Sequence, residues 1–184
     1  MIKVETEIFG AFIIEPDVFT DHRGIFFEAY NREKFLALGI VDDFQQDNFS
    51  ASKQGVLRGL HFQFSPKPMA KLVRCGRGRL FDVAVDMRQD SPTFKKWFGV
   101  ELTAENKKMF YVPVGCAHGF YALEDCELLY KCSNVFQKDL DGGFSWQDPE
   151  INVVWPLTGE PIVSERDAVL PSFSEVVARV NEKL

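Results

Sequence analysis

Histidine is scarce in this chain, and cysteine forms no recognisable pattern. His22, His61 and His118 are the only three histidines among 184 residues. Cys75, Cys116, Cys126 and Cys132 include no Cys-x-x-Cys pair and each lies among strand-like residues, so they read as buried free thiols, ahead of a disulfide framework or a zinc site. Cations are outnumbered, 21 Lys and Arg against 27 Asp and Glu. The resulting net charge of -6 argues against bulk binding of nucleic acid, and an anionic substrate would need a local cluster of Arg and Lys. No apolar run is long enough to span a bilayer, and Met-Ile-Lys-Val-Glu at the start does not read as a signal peptide, so no membrane association and a cytoplasmic location are expected. There is no internal repeat, low-complexity tract or linker; a single domain over residues 1–184 is the simplest account.

Aromatic residues, by contrast, are abundant. Eighteen phenylalanines favour strands and sandwich interiors. Strand-like runs occupy Phe9–Pro16, Gly24–Tyr30, Val56–Phe64, Ala70–Cys75, Arg79–Met87, Phe98–Thr103, Met109–Pro113, His118–Leu123 and Glu127–Phe136, with Gly, Pro, Asn and Asp turns between them. Many short strands and few helices predict a mainly β fold, a sandwich or barrel. A short helix is expected over Asn31–Leu38, capped by Asn31. Another is expected over residues 172–184, where Ser172 and Glu175 form a capping box and Phe173, Val176, Val177, Val180 and Leu184 an apolar stripe. That stripe reads first as docking on the sandwich and second as a partner surface.

Strand alternation sorts the polar residues. Along Arg79–Met87, Asp82 and Asp86 share a face with Leu80 and Ala84; a polar pocket and a solvated surface are equal readings. Tyr130 shares a face with Leu128, Cys132 and Asn134, opposite Lys131, and by itself reads as core. The run Gly55-Val-Leu-Arg-Gly-Leu-His-Phe-Gln63 is the most informative, because Arg58 and His61 stand in a strand that should be apolar. His61 is either a satisfied structural group or a working base. In a regular strand the two point to opposite faces. One shared site requires a break in register, and Gly59 is the natural place for it.

Eleven segments in order resemble one family. They are Phe19-Thr-Asp-His-Arg-Gly24, Gln46-Asp-Asn48, Gly55–Gln63, Lys71-Leu-Val-Arg74, Phe81-Asp-Val-Ala-Val-Asp86, Ser91-Pro-Thr-Phe94, Val112-Pro-Val-Gly-Cys-Ala-His-Gly-Phe120, Leu129-Tyr-Lys131, Trp146-Gln-Asp-Pro149, Val154-Trp-Pro156 and Ser164-Glu-Arg-Asp167. Together they resemble the dTDP-4-dehydrorhamnose 3,5-epimerases. The resemblance implies a cupin-like jelly-roll β-sandwich with short peripheral helices and a C-terminal helix, a homodimer, and neither cofactor nor catalytic metal. A metal-binding cupin usually shows two histidines one residue apart; here the pair is His61 and Gln63.

The implied activity is epimerisation of a dTDP-linked 4-keto-6-deoxyhexose at C3 and C5. Both protons flank the C4 ketone, so removing either gives an enolate, and inversion needs an acid on the ring face opposite the base. By resemblance His61 is the base, Asp167 orients it, Lys71 stabilises the enolate oxygen and Tyr130 is the acid. Taken alone, Asp167 would read as a turn residue and Lys71 as a solvated strand lysine. Arg23, Arg58 and Arg166 match diphosphate contacts; Glu28, Gln46, Asp47, Asn48, His118 and Asp141 match other substrate contacts, with Asp82 behind His118. Arg166 and Asp141 replace the more usual lysine and glutamate. Phe136 stands where the family usually has a tyrosine that stacks on the base, keeping the ring and losing the hydroxyl. The implied alternatives are an epimerase acting at C3 alone or on another 4-keto nucleotide sugar, and a non-catalytic sugar-binding module.

Overall fold

The structure, a computed structural model, describes residues 1–181. Its strands in chain order are β1 (Ile2–Glu5), β2 (Phe12–Glu15), β3 (Val18–Asp21), β4 (Gly24–Phe27), β5 (Gln46–Ser52), β6 (Leu57–Gln63), β7 (Lys71–Arg77), β8 (Arg79–Asp86), β9 (Trp97–Thr103), β10 (Met109–Val112), β11 (Cys116–Ala122), β12 (Cys126–Cys132) and β13 (Asp141–Gly143). Two antiparallel sheets face each other: β1-β2-β10-β7-β12-β5 and β13-β6-β11-β8-β9. This is the sandwich of a cupin-like jelly roll. The hairpin β3–β4 forms a separate two-stranded sheet with Phe19, Ile25 and Phe26 exposed.

The principal core lies between the sheets. Ile13, Val73, Phe110 and Leu128 from the six-stranded sheet meet Leu80, Leu102 and Phe120 from the five-stranded one. Each sheet also covers an outer face, which explains why so many runs are apolar on both sides. Helix α1 (Arg32–Ala37) places Phe35 over Ile14, Leu72 and Tyr111 of the six-stranded sheet. Asn31 caps it, accepting from Lys34 N at 3.2 Å. Helix α2 (Phe173–Asn181) begins at the expected capping box, with Ser172 N donating to Glu175 Oε2 at 2.8 Å. Its Phe173 and Val176 pack on Leu60, Val83, Val85 and Phe144 behind the five-stranded sheet. Burying Phe173 contributes about 2 kcal/mol. The stripe therefore docks on the sandwich; the side chain of Val180 and all of Leu184 lie outside the described residues.

Two local differences from the sequence reading have clear causes. Strand β5 does not appear in that reading, because its inward residues Gln46, Asn48 and Ser50 face a cavity and leave no apolar alternation to detect. Strand β12 ends at Cys132 rather than at Phe136. Beyond it the chain turns away: Asn134 Nδ2 donates to Pro68 O at 2.6 Å, and Phe136 N donates to Gln46 Oε1 at 2.8 Å.

Candidate active site

Strand β6 pairs with β11 through a broken register. His61 lies opposite His118, but Arg58 lies opposite Phe120, so four residues on one strand face three on the other. Gly59 is the cause. It has φ +133, and a Cβ there would sit 2.6 Å from Gly119 Cα. Two glycines back to back let the strands close while the chain kinks. The break brings Arg58 and His61 to one cavity wall.

That cavity has two lobes between the sheets, about 390 and 510 Å³. His61, Lys71, Tyr130 and Arg166 line both lobes. Gln46, Asn48, Phe136 and Asp141 line the first; Arg58, His118 and Asp167 line the second. His61 and His118 project from the five-stranded sheet. Lys71 on β7 and Tyr130 on β12 project from the six-stranded sheet, on neighbouring strands whose register pairs Lys71 with Cys132 and Tyr130 with Val73.

Two histidine–carboxylate pairs stand side by side. His61 Nε2 lies 2.7 Å from Asp167 Oδ1, and the other oxygen of that carboxylate accepts from Gly59 N at 3.3 Å. Asp167 reaches β6 because Leu57 N donates to Ile162 O and Ser164 Oγ accepts from Asp167 N, tying the segment after Ile162 to the strand. Burial alone would raise the Asp167 carboxyl; the hydrogen bond and charge of His61, with the Gly59 N–H, outweigh it and hold the carboxylate below its ordinary range. An ionised carboxylate only accepts, so Nε2 carries a hydrogen, and in the neutral form of the ring the basic lone pair is the one on Nδ1. The second pair is more deeply buried. His118 Nε2 lies 2.9 and 3.0 Å from the two oxygens of Asp82, and its Nδ1 is 3.5 Å from Lys71 Nζ. Burial, and less strongly the Lys71 charge, push His118 down against the pull of Asp82, so the ring stays neutral with Nδ1 as an acceptor for Lys71.

Lys71 and Tyr130 shift in opposite directions. Burial lowers the Lys71 ammonium, partly opposed by Cys132, Asp82 and Asp141. The Tyr130 phenol is raised by burial, then by Cys132 and Asp141, with Arg58 pulling the other way. The site thus offers an imidazole on one side, a phenol on the other, and a lysine amine beside them.

Other candidate positions fall into three groups. Arg166 and Asp141 reach the first lobe but bond to each other, Nη1 to Oδ2 at 2.7 Å. Gln46 and Asn48 face in, linked at 2.9 Å. Arg23, Glu28 and Asp47 line neither lobe: Arg23 pairs with Asp21 at the hairpin tip, Glu28 with Lys34, and Asp47 with Lys131 on the outer side of β5. Asp82 and Asp86 resolve the open question of their face. Both are fully buried, neither lines a lobe, and Asp86 is held by Arg88, Ser91 and Thr93. Cys132 and Met69 also line the first lobe. Cys132 was legible through its two-residue spacing from Tyr130; nothing in the sequence marked Met69. Among the described residues, no three His, Cys, Asp or Glu side chains converge as a metal site requires. No helix among them is long and apolar enough to cross a membrane.

Residues 5–175 match the family model described as dTDP-4-dehydrorhamnose 3,5-epimerase. A relative of that name from Salmonella typhimurium is 46% identical over 179 residues, covering 96% of this chain and 98% of its own. A solved structure from Legionella pneumophila, a dTDP-6-deoxy-D-glucose-3,5-epimerase in complex with dTDP-4-keto-L-rhamnose, is 41% identical with a TM-score of 0.93, covering 97% of this chain and 95% of its own. The 3'-monoepimerase ChmJ of Streptomyces bikiniensis, in complex with dTDP-quinovose, is also similar: 34% identical, TM-score 0.87, covering 96% of this chain and 89% of that one.

Proposed function

The chain belongs to the dTDP-4-dehydrorhamnose 3,5-epimerase family, and from that premise we propose how its own residues convert dTDP-4-dehydro-6-deoxy-D-glucose to dTDP-4-dehydro-L-rhamnose. The protein is an isomerase of dTDP-rhamnose or related deoxysugar biosynthesis. The hexose lies where the two lobes meet. His61 Nδ1 removes the proton from C3 or C5, and the Asp167 carboxylate stabilises the imidazolium that forms. The electron pair of the broken C–H bond moves into the ring and the C4 carbonyl becomes an enolate oxygen, which the Lys71 ammonium stabilises. Tyr130 then donates its phenolic proton to the carbon from the opposite face, and the carbonyl re-forms with inversion. Solvent resets both groups before the second centre reacts.

One observation carries this reading: His61 and Tyr130 arise from opposite sheets and both border the junction of the lobes. The base of the nucleotide stacks on Phe136 in the first lobe, and the diphosphate meets Arg166, with Arg58 the second candidate. We also propose that the whole chain works as one cytoplasmic domain and pairs as a homodimer. The exposed Phe19, Ile25 and Phe26 of the β3–β4 hairpin are surface that a second copy would cover. Arg23, on that hairpin, would serve a substrate only across such an interface.

Incubation with the keto-sugar nucleotide in heavy water, followed by NMR of the product, tests the reaction. Two solvent-derived deuterons, at C3 and C5, are expected. A single deuteron at C3 would instead favour the second reading, an enzyme of the ChmJ kind, to which Phe136 in place of tyrosine lends specific support. Absence of any exchange would leave a sugar-binding module.

A further inference from the structure

Gln63 follows His61 by two residues on β6, shares its face, and is only 5% exposed. Its amide is spent on two loops. Nε2 donates to Lys67 O, in the turn after β6, and to Val135 O at 3.3 Å; Oε1 accepts from Gln137 N at 2.8 Å. The last two contacts bracket Phe136, holding the carbonyl before it and the N–H after it. Phe136's own N–H is taken by Gln46 Oε1 at 2.8 Å.

This pattern answers a local need. Beyond Cys132 the chain has left the sheet, so residues 134–137 have no ladder to fix them. Their ring-bearing residue is half exposed and packs on no core. Side-chain amides stand in for the missing strand. A primary amide is required, because it alone offers donors to carbonyls and an acceptor to an N–H from one group. Glutamate has the same shape but only accepts, and would set a charge against two carbonyl oxygens.

We infer that Gln63 is a positioning residue for the nucleotide: it fixes the Phe136 ring at the stacking distance of the base and ties the Lys67 turn to the same rim. The inference rests on the reading that the base stacks on Phe136. It assigns no chemistry to Gln63 at the reacting carbons, although His61 is its near neighbour on the strand.

Calorimetric binding of dTDP to the wild type, Gln63→Glu, Phe136→Ala and the double variant tests it, alongside kcat, KM and urea unfolding. Loss of the ring should weaken dTDP about tenfold. Gln63→Glu should weaken dTDP and raise KM by about tenfold with kcat within about threefold, since only the remote part of the substrate is displaced. The double variant should bind no worse than Phe136→Ala to within about twofold, because both changes remove one interaction. If Gln63→Glu does not fold, Gln63→Met, equally long and neutral, replaces it with the same expectations. Full additivity in the double variant, or a kcat loss with unchanged dTDP affinity, overturns the inference alone. A Phe136→Ala protein that binds dTDP normally overturns the stacking reading and the inference with it.

Discussion

His61 and Tyr130 stand on different sheets of the sandwich, yet both form the wall that two cavity lobes share. A phenol and an imidazole so placed would, in the proposed roles of acid and base, address opposite faces of one flat ring. Tyr130→Phe should therefore separate exchange from inversion. The enolate still forms, so the substrate should pick up deuterium, while inverted product falls by about 10²-fold or more. Parallel loss of exchange and inversion would sink the assignment of Tyr130 as the acid.

The 2.7 Å contact between His61 and Asp167 sets the imidazole tautomer. His61→Ala should abolish exchange. Asp167→Asn, which keeps the shape but allows the other tautomer, should lower kcat by roughly 10²–10⁴-fold with the fold intact by circular dichroism. A rate within a few-fold of the wild type would reduce Asp167 to a structural partner.

In the proposed mechanism Lys71 must carry its charge to stabilise an enolate, and burial makes that charge easier to lose. Its cationic form is present below its pKa, which lies under the ordinary lysine range. The exchange rate should accordingly fall on the alkaline side earlier than a free lysine would dictate. Tyr130, shifted upward, cannot account for that limb. In Lys71→Arg the limb should vanish while the rate at neutral pH drops about 10²-fold, because a guanidinium is a wider and flatter donor. A limb that persists in the arginine variant would assign it elsewhere.

By the family resemblance, Phe136 stands in place of a tyrosine and so would lack its hydroxyl. If that hydroxyl helps to seat the sugar, Phe136→Tyr should speed deuterium entry at C5 about fivefold relative to C3, the worth of one neutral hydrogen bond. Equal rates in both proteins would show that the stacking face alone matters.

Away from the cavity, Asp86 is a stability element. Burial by itself would raise its carboxyl, but Arg88, Ser91 and Thr93 together hold it below the ordinary range. A carboxyl depressed in the folded state adds stability above its unfolded pKa of about 4, and that contribution is lost as pH falls through the folded value. Asp86→Asn should cost about 3–5 kcal/mol in urea unfolding at neutral pH, since it leaves Arg88 without its charge partner. It should also flatten the loss of stability on acidification below about pH 4.

Local chemistry was legible wherever it obeys a short period. The capping box at Ser172, the Asn31 cap, the inward face of Leu128, Tyr130 and Cys132, and the register break at Gly59 all follow from neighbours a few residues apart. Polar β5 was hidden because a cavity wall has no apolar alternation, and the end of β12 because its successor is held by side chains from other strands.

Sequence order alone determined the mainly β character, most of the longer strands, the family resemblance and the residue types available for chemistry. Only the tertiary structure decided which of them meet. Asp167 reads as a turn residue until the chain after Ile162 is laid along β6, 106 positions from its histidine. Asp82 and Asp86, on one strand face with Ala84 between them, part company: one bonds to His118 and the other to Arg88. The physical reason is that hydrogen bonds and burial act over a few ångströms of space, whatever the distance along the chain, and the closure of two sheets is what makes distant positions near.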